Sequence, residues 1–362
     1  MKINRIKLNN YRNIDETEVE PNSRLNVIFG PNGSGKTNFC EAIHFVSTGD
    51  NIKGSRQREL IGWDADFALV RLSLANDDTV VVYLKEGEGK EIKVNSKAMT
   101  QSGVRSLVPT HTFVPEDLYI SKGSPSRRRN LLNRHLSQLS DDYEGTLSKY
   151  NAELKKKNTL LKKEEINDEF LEVLNERLVR LGAKITGERA SYLEELNRYL
   201  PDIYGKFVRT RGDLNLSYSE NGLMEKTEEE LIELLSDRMK RNRKRELERE
   251  TTVVGPHRDK FEYLLNGKDL RTFGSQGELR TAVIATYLAY LELYENEFGE
   301  LPILVLDDIL SELDRNRGEA FLESLPEEPQ VFMTTAARSP SFRKLSGDFS
   351  VLRISDGGIE KQ

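Results

Sequence analysis

The sequence predicts an α/β domain assembled from an N-terminal and a C-terminal lobe, with an all-helical segment inserted between them. Three observations support this prediction. Short apolar strands alternate with helical patterns near both ends of the chain, as at 25–29 and 303–306. A glycine-rich loop follows the first of these strands and precedes a helix. Leucines in the middle of the chain repeat at intervals of three and four residues, which is typical of long packed helices.

The composition favours a soluble globular chain of two or three domains. Its 362 residues are 37% hydrophobic and 31% charged, and no apolar run approaches the ~18 residues of a membrane span. The start alternates charged residues with Ile and Leu, unlike a signal peptide, and the single cysteine, Cys40, has no disulfide partner. We therefore expect a cytoplasmic protein without a membrane partner. The net charge is -6, so nucleic acid would need a local basic patch.

The N-terminal lobe is predicted over residues 1–123. Residues 1–30 predict short strands that end at Gly30, and 38–46 has the spacing of a helix. Asn-Asp-Asp and Gly-Glu-Gly turns separate three further strands, which predict an antiparallel layer beside the first sheet. These strands are 67–74, 79–84 and 91–94.

The inserted arm is predicted over 124–250, as two long antiparallel helices and a third at 227–249. The second long helix carries an apolar stripe, and the third opens with Thr227 as N-cap and Glu230 at the capping-box position. The stripe consists of Leu171, Leu174, Leu178, Leu181 and Ile185.

The C-terminal lobe is predicted over 251–362. A strand-like segment after Gly255 precedes a helix at 276–296, and the buried strand 303–306 follows. A helix at 316–325 and a strand at 331–333 continue the alternation.

The most specific motif lies at residues 30–37, where G-x-x-x-x-G-K-[ST] is matched in full. Glycines in such a loop turn backbone N–H groups toward phosphates, Lys36 reaches the β- and γ-phosphates, and the Thr37 hydroxyl ligates Mg²⁺. The predicted ATP-binding residues of this loop are Gly30, Pro31, Asn32, Gly33, Ser34, Gly35, Lys36 and Thr37. Lys36 is also predicted to take part in catalysis.

A second half-site is predicted 271 residues beyond Lys36, where the strand 303–306 delivers two carboxylates to its C-terminal end. Asp307 is predicted to hold Mg²⁺ together with Thr37. Asp308 is the candidate general base, because its carboxylate would face the γ-phosphate and the attacking water.

Two short segments point to a more specific architecture. The first segment is the tetrapeptide SQGE at 275–278, which lies at the start of the helix at 276–296. The N–H groups of Ser275, Gln276 and Gly277 and the serine hydroxyl can bind an anion, although such a tetrapeptide is also an ordinary helix start. The segment resembles the signature motif of ATP-binding-cassette ATPases, and residues 311–314 resemble their D-loop. In those proteins the signature of one subunit closes over ATP bound to another.

Together these motifs resemble the RecF family, the bacterial ATPases of recombinational and gap repair, nearly from end to end. Residues 10–13, 113–118, 122–129 and 255–259 add to the resemblance. It implies a P-loop ATPase head of the cassette and SMC type. It further implies that two subunits sandwich two ATP molecules, that the dimer grips DNA, and that it assists RecO and RecR in loading RecA at single-strand gaps.

The departures from the wider cassette pattern suggest slow hydrolysis. The signature is SQGE instead of LSGGQ, Asp308 replaces a glutamate, and Thr334 and Thr335 stand where transporters place a switch histidine. Glu116 is assigned to the Q-loop by position alone.

DNA contact is predicted for Arg127, Arg128 and Arg129, and a second basic run lies at 238–249; solvated helix faces would explain both equally well. The preferred function is an ATP-gated DNA clamp with weak ATPase activity. The alternatives are an ATPase subunit of a cassette transporter, which the signature and the arm disfavour, and an SMC-like tether that binds ATP without hydrolysis.

Overall fold

The computed structural model describes residues 1–52, 57–208, 212–220, 222–336, 349–355 and 358–361. Contacts divide the chain into two compact units. The first comprises Met1–Asp117 and Tyr294–Gln362, and the second comprises Leu118–Leu293. The division therefore differs from the predicted domain bounds: residues 251–293, with the start of the SQGE helix, belong to the second unit.

The strands and helices are numbered here in chain order. The strands are β1 (Ile3–Tyr11), β2 (Ile14–Val19), β3 (Leu25–Phe29), β4 (Phe67–Leu74), β5 (Thr79–Lys85), β6 (Gly89–Val94), β7 (Lys97–Ala98), β8 (Thr110–Phe113), β9 (Leu214–Tyr218), β10 (Phe261–Leu265), β11 (Lys268–Asp269), β12 (Ile303–Leu306), β13 (Val331–Thr335), β14 (Phe349–Ser355) and β15 (Gly358–Lys361). The helices are α1 (Lys36–Thr48), α2 (Gln101–Leu107), α3 (Pro125–Leu139), α4 (Asp141–Leu160), α5 (Asp168–Gly205), α6 (Glu228–Arg249), α7 (Leu270–Phe273), α8 (Gln276–Phe298) and α9 (Arg315–Ser324).

The first unit contains two six-stranded sheets. One is antiparallel, in the order β2-β1-β4-β5-β6-β7, and confirms the predicted antiparallel layer. The other has the order β15-β14-β3-β13-β12-β8, and its strands are parallel except for β15. One apolar core joins both sheets and α1, with Leu8, Val70, Phe39 and Val305 among its buried side chains.

The parallel order explains where the site forms. Strand β13 lies between β3 and β12, so the loop after β3 and the carboxylates after β12 emerge at the same edge of the sheet. All four residues of β12 are buried, as expected for a strand that is covered on both faces.

The second unit contains α3 to α7, most of α8, and a three-stranded antiparallel sheet in the order β11-β10-β9. The prediction of an all-helical arm is therefore wrong. The five residues of β9 alternate between buried and half-buried positions and pair with β10, with Leu216 opposite Tyr263. The capping box of Thr227 and Glu230 at the start of α6 is confirmed.

The long helices of the arm meet near the α4–α5 connection through a small apolar core. Its members are Leu160, Leu161, Leu171 and Leu174. Within the described ranges, none of the helices combines the length and the apolar character that a membrane crossing requires.

Candidate nucleotide-binding site

The loop between β3 and α1 requires its glycines for backbone reasons. Gly33 and Gly35 adopt φ values of +84° and +108°, which side chains other than glycine rarely tolerate. At Gly30, an added Cβ would lie 2.3 Å from the backbone oxygen of Ile354. The sequence therefore folds this segment into a tight turn directly before the helix N-terminus, where exposed N–H groups favour an anion.

The Lys36 ammonium is held above this loop. Its Nζ donates hydrogen bonds to the carbonyl oxygens of Gly30 at 2.8 Å and Pro31 at 2.9 Å, and the side chain is buried. The Ser34 hydroxyl is also buried and has no hydrogen-bond partner among the described residues. A positive charge and an unsatisfied hydroxyl beside a helix N-terminus fit the phosphates of ATP.

Residues 37 and 307 meet at the edge of the sheet. The Thr37 hydroxyl donates to both carboxylate oxygens of Asp307 at 3.0 Å, and Asp307 is buried. Hydroxyl and carboxylate oxygens are hard ligands that suit Mg²⁺, which usually binds one or two protein groups together with phosphates and waters. Thr37 and Asp307 supply two such oxygen ligands at one place.

Asp308 follows in a left-handed conformation, with φ 47° and ψ 26°. Its Oδ1 accepts a hydrogen bond from the Ser311 hydroxyl at 2.5 Å, and its backbone N–H donates to the Thr334 hydroxyl at 2.8 Å. The same Thr334 hydroxyl donates to Asp307 Oδ1 at 2.7 Å. Sequence reasoning noted Thr334 only as a substitute for a histidine and did not predict these contacts.

The turn between β1 and β2 contacts the loop at 30–37 and the start of α1. The Asn13 side chain donates to the carbonyl oxygen of Gly33 at 3.2 Å and accepts from Asn38 at 2.7 Å. Beside it, the Arg12 guanidinium makes a two-pronged contact with Glu41, which is fully buried on α1. Arg12 and Asn13 therefore hold the loop and the helix that carry Lys36.

Burial also fixes the state of a thiol near the site. Burial raises the pKa of the Cys40 thiol well above its usual value, and the Asp307 carboxylate raises it further. Cys40 is therefore a neutral core residue of α1 at physiological pH.

The remaining site predictions are Glu116 in the first unit and residues 275–277 in the second. Glu116 lies in a short 3₁₀ helix directly after β8 and is exposed, and its Q-loop role stays a prediction. Ser275 and Gln276 are exposed and Gly277 is half-buried. The Ser275 hydroxyl accepts from the Glu278 backbone N–H at 3.2 Å, and the Ser275 backbone N–H donates to Glu278 Oε2 at 2.8 Å, which makes a capping box at the start of α8.

The chain resembles known proteins over nearly its whole length. Residues 2–357 match the model of the RecF/RecN/SMC N-terminal domain. Over 365 residues the chain is 35% identical to the DNA replication and repair protein RecF of Clostridium acetobutylicum, covering 99% of both chains. It is 34% identical to the protein of that name from Staphylococcus aureus strain JH9, covering 100% of both. The chain belongs to the RecF family.

Solved structures agree with this assignment. The recombination mediator protein RecF with ATP, described as part of the RecFOR pathway, superposes with a TM-score of 0.88 at 34% identity, over 100% of this chain and 97% of that one. An Smc head bound to the C-terminal winged-helix domain of ScpA gives a TM-score of 0.60 at 16% identity, over 100% and 97%, which shows the fold alone. The predicted ATPase head of the cassette and SMC type is confirmed.

The three arginines near the start of α3 differ from one another in their exposure to solvent. Arg127 is exposed. Arg129 is half-buried and donates to the carbonyl oxygen of Asp259 at 2.7 Å. Arg128 is buried, and its Nη1 donates to the carbonyl oxygens of Ile120, Ser121 and Gly123 at 3.0–3.3 Å. Arg128 therefore holds the loop before α3 through these carbonyls, whereas Arg127 stays accessible. DNA contact by the three arginines stays a prediction.

The second basic run, on α6, is partly neutralised. Arg238 pairs with Glu220, and Arg243 pairs with Asp168 at 2.6 Å and Glu172 at 3.3 Å. Surface pairs of this kind contribute little stability, but they reduce the charge available to a phosphate.

The segment 255–259 takes part in a buried polar cluster in the second unit. Arg189 on α5 is 2% exposed, and its Nη1 donates to Asp259 Oδ2 at 2.8 Å and to the carbonyl oxygen of Pro256 at 2.9 Å. Its Nη2 donates to Asn133 Oδ1 at 2.9 Å, and the Tyr218 hydroxyl donates to Asp259 at 3.1 Å. We call these residues the Arg189 cluster.

His257 completes this segment as a neutral side chain. The Tyr150 hydroxyl donates to its Nδ1 at 2.6 Å, and its Nε2 lies 3.2 Å from the carbonyl oxygen of Thr252, which requires the proton on Nε2. Burial lowers the pKa of His257 to about 4. At Gly255, φ is +128° and an added Cβ would lie 2.3 Å from the Tyr150 hydroxyl, so this turn also depends on glycine.

Proposed function

We propose that this chain is an ATP-dependent DNA-binding protein of recombinational and replication-gap repair, in which ATP drives the formation of a homodimer on DNA and weak hydrolysis releases it. The observation that supports this most directly is the hydrogen bonding between Asp307 and Thr37, the residue after Lys36. These two residues are 270 positions apart in the sequence, and we infer that the motifs they belong to act as one phosphate and metal site. The names of the RecF relatives support the repair role.

Each group of the site then has a chemical task. Lys36 and the loop N–H groups bind the phosphates, and Thr37 with Asp307 would hold Mg²⁺, which supplies countercharge to the phosphates when bound. Asp308 orients and deprotonates the attacking water, because its second carboxylate oxygen has no protein partner among the described residues.

The partners follow from the family. Ser275, Gln276 and Gly277 act on ATP held by the other subunit of the dimer, and Arg127 and Arg129 contribute to a DNA-binding surface. By analogy with the pathway named for a solved relative, RecO and RecR are the protein partners, and RecA is loaded indirectly in the cytoplasm. Glu116 is proposed as the Q-loop residue.

The dimer is tested with Ser275→Arg, which places bulk and charge where the signature would meet the γ-phosphate. We expect ATP binding by the monomer to persist and ATP-dependent dimerisation, followed by analytical ultracentrifugation with a slowly hydrolysed ATP analogue, to disappear. The substitution also removes a helix cap worth about 1 kcal/mol. Thr227→Arg removes the matching cap of α6 and is the control. A Ser275→Arg chain that dimerises like wild type would refute the sandwich.

Hydrolysis is tested separately with Asp308→Asn. This variant keeps the Thr37 and Asp307 ligands, so it should bind ATP and stall as an ATP-bound dimer. A single-turnover assay on the wild type distinguishes weak hydrolysis from a tether that binds ATP without turnover. Equal turnover by wild type and Asp308→Asn would remove Asp308 from the mechanism.

A further inference from the structure

The middle strand of the site places one hydroxyl against both carboxylate residues. Thr334 lies on β13, between the strand that leads into the phosphate loop and the strand that ends at Asp307. Its side chain is 1% exposed. The hydroxyl donates its proton to Asp307 Oδ1 at 2.7 Å and accepts the backbone N–H of Asp308 at 2.8 Å.

These two bonds depend on each other. A threonine hydroxyl has one proton and two lone pairs, so donation to Asp307 leaves a lone pair for the Asp308 N–H. The first bond fixes the direction of the Asp307 carboxylate, and the second holds the backbone of Asp308 in its left-handed conformation, φ 47°. Such a conformation persists only where surrounding contacts over-determine it.

A different residue holds the side chain of Asp308, because Asp308 Oδ1 accepts a hydrogen bond from the Ser311 hydroxyl. Thr334 therefore holds the backbone of Asp308, and Ser311 holds its carboxylate. Removing the Thr334 hydroxyl would take one of its donors from Asp307 Oδ1, which also accepts from Thr37, and would remove the acceptor of the half-buried Asp308 N–H.

We propose that Thr334 is the positioning residue of this site: its hydroxyl orients Asp307 toward the metal and Asp308 toward the water in one hydrogen-bonded relay. The inference deepens the proposed function and rests on it. The hydroxyl does not itself touch ATP in this role. It acts through the two aspartates, so its loss should change metal dependence and turnover more than the affinity for metal-free nucleotide.

The test compares Thr334→Val, which keeps the shape and removes the hydroxyl, with Thr334→Ser, which keeps the hydroxyl. Mn²⁺ is the probe, titrated by electron paramagnetic resonance in the presence of a slowly hydrolysed ATP analogue. We expect roughly tenfold weaker Mn²⁺ binding and at least roughly tenfold slower single-turnover hydrolysis for Thr334→Val, as for loss of a hydrogen bond to a charged group. Thr334→Ser should stay within about threefold of wild type.

A readout without ligand checks the relay itself. Hydrogen exchange of the Asp308 amide in the nucleotide-free protein should be faster in Thr334→Val than in wild type and should be restored in Thr334→Ser. Thr112→Val is the matched control, because Thr112 is a buried threonine of the same sheet, on β8, and its hydroxyl bonds to His44 at 2.8 Å. It should lower stability without changing Mn²⁺ affinity or Asp308 exchange.

The outcomes separate the proposals. Wild-type Mn²⁺ affinity and turnover in a folded Thr334→Val chain would overturn the role of Thr334 alone. Absence of metal-dependent nucleotide binding in the wild type would overturn the proposed function and this role with it. If Thr334→Val does not fold, Thr334→Cys replaces it, since a thiol keeps the volume with a much weaker donor and acceptor, and the same direction is expected.

Discussion

The loop at 30–37 and the segment at 255–259 both stand out in the sequence, and they use polar side chains in opposite ways. In the loop, Lys36 contacts only neutral carbonyl oxygens, and the Ser34 hydroxyl has no partner among the described residues. In the Arg189 cluster, the guanidinium meets a carboxylate, an amide oxygen, a carbonyl and the Tyr143 hydroxyl. The loop keeps hydrogen-bonding groups that a ligand can use, whereas the polar groups of the Arg189 cluster bond to one another within the fold.

The partners of the buried cation distinguish a binding site from a structural cluster when both are marked by sequence motifs. A buried cation on neutral oxygens exchanges them for phosphate without leaving a buried charge behind. Arg189 cannot leave Asp259 without stranding a carboxylate that is 14% exposed. Changes at the loop should therefore alter binding, and changes at the cluster should alter stability.

The largest expected effect is that of Arg189→Met. The substitution keeps an unbranched apolar stem but removes the guanidinium and leaves Asp259 without its cation, so we expect the free energy of unfolding to fall by about 3–5 kcal/mol. Urea denaturation measures this. The control is Arg198→Met on the same helix, where Arg198 forms surface pairs with Glu194 and Glu195, and the change should stay within about 0.5 kcal/mol. A loss below about 1 kcal/mol for Arg189→Met would contradict the view of the cluster as a structural unit.

The fold of the first unit could be predicted because its signals are local. Strands such as β3 and β12 are continuous apolar runs, and each is followed at once by a turn or a carboxylate pair. The strand β9 was missed because its alternation covers only five residues and its partner β10 follows only after α6. Pairing across an intervening helix has no short-range signature.

The second prediction concerns the loop. Lys36→Ala removes the charge above the phosphates, so we expect ATP affinity to fall by about 100-fold or more, while the free energy of unfolding changes by about 1 kcal/mol or less. Nucleotide titration and urea denaturation on the same preparation separate the two effects. Lys85→Ala, at an exposed lysine of β5, should leave ATP affinity unchanged. Wild-type ATP affinity in Lys36→Ala would sink the site assignment.

The site itself was predictable only where function follows from residue type and local spacing. Lys36 and Thr37 follow from the loop motif, and Asp307 from its place after a buried strand. The role of Thr334 depends on the register of β13 against β12, where Met333 pairs with Leu306, and no local pattern specifies that register. Arg128 shows the converse, because a run of arginines predicts a surface while one member turns inward to hold three carbonyls.

The third prediction sharpens the contrast through pH. Burial lowers the pKa of His257 to about 4 from an unfolded value near 6.5. Between these values the unfolded chain binds more protons, so the stability from neutral His257 is complete above pH 6.5 and is lost as pH falls toward 4. We expect a contribution of about 2 kcal/mol to disappear between pH 7 and pH 5.

His257→Gln cannot titrate in this range, so it isolates the contribution of the histidine. Urea denaturation at several pH values should show a steeper loss of stability for the wild type than for this variant, since the carboxylates and the other histidines titrate in both. Parallel pH profiles would show that His257 is not held neutral. ATP affinity of the folded protein should not follow this profile.

The fourth prediction compares a proposed binding residue with a structural residue in one short run of arginines, and its expected effect on binding is the smallest. Arg127 is exposed and available to a phosphate, whereas Arg128 is buried on carbonyl oxygens. We therefore expect Arg127→Ala to weaken DNA binding by about threefold and to lower the slope of log affinity against log salt by about 1. Arg128→Ala should instead lower the free energy of unfolding by about 1–3 kcal/mol, because three carbonyls lose their donor. Fluorescence anisotropy on gapped DNA at several salt concentrations measures the first effect, and urea denaturation measures the second. An unchanged salt slope in Arg127→Ala would move the DNA-binding surface away from α3, and a fully stable Arg128→Ala chain would show that the buried guanidinium is not needed to hold the preceding loop.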